Sequence, residues 1–82
     1  MDHKRQIKQF VLKNYLFTED ESALADDESL IRNGTIDSTG MLELVFHLED
    51  TWPIKVVDEE MVPANFETID AISAFVARKL AG

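Results

Sequence analysis

The side chains able to do covalent or acid–base chemistry are few. Ser38 sits between Asp37 and Thr39, in the stretch NGTIDSTGMLELV at residues 33–45. Two histidines, His3 and His47, are the groups that titrate near neutrality. There are 16 acids and no cysteine. A hydrolase nucleophile at Ser38 would need the Gly-x-Ser-x-Gly elbow between a strand and a helix. Ile36 stands where the first glycine belongs. His47 lies nine residues further on, about 13 Å along a helix at 1.5 Å per residue. That is beyond the reach of a general base. His3 is expected to be an exposed side chain near the N-terminus. The calcium-loop spacing wants glycine sixth and glutamate twelfth. Counting from Ser29 puts Gly40 twelfth, and counting from Thr35 puts Phe46 there. The chain also has no glycine-rich phosphate loop and no strip of basic and aromatic residues. As an enzyme it lacks the parts, so no catalytic residue and no metal ligand is expected.

What Ser38 does have is position. Asn33-Gly34 is a turn signal, and Asp and Ser before an apolar-periodic run are helix-capping residues. The start of a helix carries unpaired N–H groups and the positive end of its dipole, which favour a phosphate. A phosphodiester on Ser38 would lie in a stabilising field. Asp37 would repel it, so Asp37 reads as a cap, or as a contact for a modifying enzyme and its metal.

The elements that must place this serine are helical. Ile7, Phe10, Val11 and Asn14 follow helical spacing within residues 3–17. Residues 18–37 are acidic and turn-rich, long for a connection, with Leu24, Leu30, Ile31 and Ile36 as its anchors. Residues 38–52 form a second helix with Met41, Leu44, Leu48 and Trp52 on one face, stopped by Pro53. Ile54, Val56 and Val57 read as an extended linker. Asp58–Met61 suits a short helix, capped by Asp58 and closed by Pro63. A last helix spans about residues 68–80, with Thr68 as N-cap. The expected fold is all-α: a four-helix bundle of three longer helices and one short one, with a long first loop, forming a single domain over residues 1–82.

Charge narrows the partners. The net charge is −8, but residues 14–77 hold 15 acids against Arg32 and Lys55. Such a surface repels nucleic acid and anionic lipid and attracts basic proteins. No apolar run approaches the 18 or so residues of a membrane span. The opening MDHKRQIKQF lacks the apolar core of a secretory signal, so a cytoplasmic location is expected; the chain is also expected to be a monomer.

The run G-x-I-D-S-x-x-x-L-E-L-V-x-x-L-E, Gly34 through Glu49, resembles the acyl carrier proteins and their aminoacyl-carrying relatives. Trp52, Ile54 and Val56, then Asp58-Glu59, then Phe66, Thr68, Ile69 and Ile72 extend the similarity over nearly the whole chain. The resemblance implies that a phosphopantetheinyl transferase moves 4′-phosphopantetheine from coenzyme A to Ser38, with Asp37 as the adjacent motif residue. The arm's thiol would hold an acyl or aminoacyl thioester for fatty-acid, polyketide or other specialised biosynthesis. The domain itself would be non-catalytic. A loading ligase and downstream enzymes with basic surfaces would meet Glu43, Glu49 and Asp50, with Val45 and Phe46 adding apolar contact if they face outward. Thr39 and Gly40 depart from the family's commonest motif, which has leucine and then an acid after the serine. Gly40 is expected to weaken the first helical turn and to remove a charge from the partner-facing surface. This leaves a specialised carrier open beside the housekeeping one. The alternative reading is an unmodified acidic helical adaptor that binds a basic protein through its second helix.

Overall fold

Pro53 and Thr68 divide the second half of the chain into the segments the structure shows. The computed structural model describes residues 3–81. Among them the regular helices are α1 (His3–Val11), α2 (Ser38–Thr51), α3 (Pro63–Phe66) and α4 (Ile69–Ala81), and there is no strand. No described helix is long and apolar enough to cross a membrane.

Most of the apolar positions that recur at helical spacing are buried. Ile7 and Val11 of α1, Leu44, Val45 and Leu48 of α2, and Ile69, Ile72, Phe75 and Val76 of α4 meet in one core. Phe66 of α3 closes it, its ring edge-on to Phe75 at 5.2 Å. Burying each such side chain stabilises the fold by about 1.5–3 kcal/mol. Three contacts fix how α1 lies on α2. Tyr15, just beyond α1, reaches Gly40; Phe10 stacks on His47; His3 meets Trp52 edge-on at 6.0 Å. As the number falls on the first helix it rises on the second, so the two run antiparallel. α4 packs against both α1 and α3.

The long connection is pinned, by the anchors its sequence offers. Leu24, Leu30 and Ile36 are buried, and Ile31 is half-buried. Backbone bonds strap it to the last helices: Leu30 N–H donates to Glu67 O at 2.7 Å and Asp70 N–H to Asp26 O at 3.0 Å. Lys4 bridges Asp26 and Asp70, and Lys8 also holds Asp26 at 3.0 Å. Hydrogen bonds from Lys8 and then Lys4 keep the Asp26 carboxyl below the usual carboxylate range.

The first helix does not run regularly to residue 17. It widens into a π-turn over Leu12–Leu16. The Asn14 amide donates to Phe10 O at 2.9 Å, competing for a carbonyl that the regular ladder would use. Phe17 then ends the helix in the left-handed conformation, φ 55°, while Thr18 N–H closes on Leu12 O. A side chain with a Cβ is strained there, and Phe17 is 85% exposed, so burial offsets little of that strain. Phe17→Gly is expected to stabilise the chain by about 1 kcal/mol, a midpoint rise of roughly 4–8 °C in thermal unfolding.

Asp58–Glu60 also differs from expectation. It is a single 3-10 turn that Asp58 does not cap; instead Glu60 reaches back to accept from Val57 N–H at 3.1 Å. Pro63 opens α3 at its first position instead of closing the turn before it, since its fixed φ suits a helix start. Thr68 caps as expected, accepting from Ala71 N–H at 2.9 Å.

Candidate functional site

Ser38 is the first helical residue of α2, and its side chain is exposed. Among the described residues nothing holds its hydroxyl. Asp37 is the N-cap: its Oδ1 accepts from Gly40 N–H at 2.7 Å. That bond turns the carboxylate toward the third residue of the helix and leaves the neighbouring hydroxyl open. Asp37→Ala is expected to cost about 1 kcal/mol, read as a midpoint fall of roughly 4–8 °C.

Beside the serine lies an open hollow of about 370 Å³. Ile31, Ile36, Met41 and Pro63 give it apolar walls, with Gly34 and Asp37 at its edge. Three elements build it: the end of the long connection, the first turn of α2 and the start of α3. Gly34, at φ 79°, makes the turn that brings Ile36 and Asp37 back to α2.

Beyond the serine, α2 presents a mixed surface. Phe46 faces outward at 63% exposure, with Glu43 and Asp50 exposed around it. No ion pair among the described residues engages either acid. Leu42, 46% exposed, lies midway between Ser38 and Phe46 at spacings of four, so hydroxyl, leucine and phenylalanine line one stripe. Leu42 was not among the residues expected to meet a partner; its spacing from Ser38 is the signal that would have found it.

Two expected contacts are corrected. Val45 is 3% exposed and belongs to the core with Leu44 and Leu48, so it has no face to offer a partner. Glu49 is half-buried, and its carboxylate accepts from Val56 N–H at 2.8 Å. That bond ties the extended linker to α2. Gly40 is buried, and a Cβ there would stand close to the Tyr15 ring and the Asp37 carboxylate.

Neither a protein-family model nor a curated protein matches this chain.

The histidines stand apart from the serine, and neither is simply exposed. His3 packs edge-on to Trp52. His47 stacks on Phe10 with ring centroids 3.7 Å apart. Burial pushes its imidazole below the ordinary value of 6.5, against a small opposing pull from Asp50. The folded chain therefore binds that proton less well than the unfolded chain. Its contribution is fully present above the ordinary value and is lost as pH falls below it. His47→Phe, which keeps a ring on Phe10, is expected to lose less stability than the wild type between about pH 7 and pH 5.5. Denaturant midpoints at both pH values check this. Carboxylates such as Asp26 titrate lower and are common to both proteins.

Proposed function

We propose that this chain is an acyl or aminoacyl carrier, folded as a four-helix bundle with a long first connection, that takes 4′-phosphopantetheine on Ser38. One observation carries the reading: the Gly34–Glu49 spacing coincides with an exposed, unengaged serine hydroxyl at the first position of a 14-residue helix. The residues present fit the group. The backbone N–H groups of Ser38 and Thr39 point out of the helix start, where the dipole favours a phosphodiester. The hollow walled by Ile31, Ile36, Met41 and Pro63 gives an attached chain an apolar surface to lie against.

The Ser38 oxygen forms a bond to the β-phosphorus of coenzyme A, and the diphosphate P–O bond on its far side breaks. The hydroxyl proton passes to a base on the phosphopantetheinyl transferase, and 3′,5′-ADP leaves. Once attached, the group supplies the thiol that a cysteine-free chain lacks, for carriage of an acyl or aminoacyl thioester. The chain's own residues hold and present it; they do no acid–base work. A loading ligase and later biosynthetic enzymes would dock on the α2 stripe. Leu42 and Phe46 supply apolar contact there, while Glu43 and Asp50 steer basic partners.

The test is an intact mass. The chain is incubated with coenzyme A and a broad-specificity phosphopantetheinyl transferase. A gain of one phosphopantetheinyl group is expected, and an unchanged mass would remove the proposal.

A further inference from the structure

The geometry points to Tyr15 as a positioning residue for the group transfer at Ser38, with Gly40 as the position that admits it. This rests on the carrier reading above. The first turn of a helix is its least constrained part, because its N–H groups have no partner within the helix. A glycine there loosens it further. In this chain the turn is gripped from two sides at one residue. Gly40 N–H donates to Asp37 Oδ1 at 2.7 Å, and Gly40 O accepts from the Tyr15 phenol at 2.7 Å. The second grip comes from outside α2, across 25 residues of sequence.

The glycine is what lets the ring in. A Cβ at residue 40 would stand 3.1 Å from Tyr15 Cε1 and 3.2 Å from Asp37 Oδ1. A side chain there would press on the ring, which would have to give by a few tenths of an ångström. The ring is itself held edge-on by Phe10, at 5.9 Å, and Phe10 is stacked on His47. The π-turn of Leu12–Leu16 carries Tyr15 to this place. Burial, with Glu43 and Asp37 nearby, keeps the phenol protonated, so it remains a donor.

Transfer requires the Ser38 oxygen in line with the phosphorus bond that breaks, and small misplacements of a reacting atom are costly. A turn that frays spends less time with its hydroxyl in that line. The consequence falls on kcat. KM is set by docking along α2, at Glu43, Phe46 and Asp50, which Tyr15 does not form.

The experiment follows mass gain with time, from coenzyme A and one transferase, over a range of carrier concentrations. Tyr15→Phe removes only the hydrogen bond. Its kcat is expected to fall roughly two- to tenfold with KM unchanged, as one hydrogen bond is worth. Gly40→Ala is the second variant. Helix propensity alone would make it firmer and at least as fast, whereas the contact with Tyr15 makes it slower. That slowing is expected to shrink when Tyr15→Ala is added, because the obstructing ring is gone. Thermal midpoints confirm that each variant is folded at the assay temperature. Unchanged kcat in Tyr15→Phe, or a change confined to KM, would overturn the inference while leaving the carrier reading in place. A wild-type chain that gains no mass removes both.

Discussion

Ser38→Ala is expected to abolish the mass gain completely and to leave the fold as it is. The two halves of that expectation have separate physical grounds. The hydroxyl has no intramolecular partner among the described residues, so its loss strands no donor or acceptor. The cap belongs to Asp37 and survives. Alanine is the best helix former, and at an exposed first position the change in stability should stay within about 0.5 kcal/mol. No other serine substitutes for it. Ser22 donates to Asp20, and Ser29 to Glu67, on the long connection. Ser73 lies within α4. Intact mass after incubation with coenzyme A and transferase, beside a thermal melt, reads both halves. The acidic-adaptor reading parts company here. It expects biological function to survive Ser38→Ala and to be lost in Glu43→Lys or Asp50→Lys. A residual gain of mass in Ser38→Ala would move the attachment point elsewhere and sink the assignment of this residue.

Those charge reversals bear on a surface the sequence displayed only in part. Val45 and Phe46 are neighbours on a helix that is apolar around a wide arc. Hydrophobicity alone gives no way to say which one faces water; in the fold Val45 joins the core and Phe46 stays exposed. Glu49 and Asp50 pose the same difficulty with acids. One carboxylate ties down Val56 N–H and the other makes no ion pair among the described residues, and that difference depends on where the chain goes after Pro53. Gly40 was harder still. Its meaning comes from Tyr15, which only tertiary structure brings near.

Local signals were read more successfully. α2 was legible because Asp37 and Ser38 mark its start, Leu44 and Leu48 recur on one side, and Pro53 stops it. Leu24, Leu30 and Ile36 declared themselves as anchors because little else in that acidic stretch is apolar. Pro63 misled because proline disfavours helix in the residue before it and suits the helix that follows. The sequence around it supports either use. The π-turn had no pattern to reveal it, and the bond from the Asn14 side chain to Phe10 O that accompanies it is not a spacing in the sequence.

One position on which the arrangement leans is Phe75. Its ring is 1% exposed, packed edge-on to Phe66, with the Arg78 guanidinium 5.8 Å from its centre. It joins α4 to α3, and α3 forms one wall of the hollow beside Ser38 through Pro63. Phe75→Ala would open a cavity between the two rings' positions and cost about 3–5 kcal/mol. A chain of 82 residues has roughly 4–12 kcal/mol in all, so between about a quarter and all of its stability would be lost. Without cysteine there is no disulfide to hold the pieces together. The expected result is a thermal midpoint lowered by roughly 12–40 °C, followed by circular dichroism. Phe75→Leu, which keeps most of the volume, should stay folded with a lowered midpoint. If Phe75→Ala melted within a few degrees of the wild type, the contact between α3 and α4 would not be what fixes the wall beside the serine. The placement of Pro63 would then have to come from Glu60, which Lys79 of α4 holds at 2.9 Å.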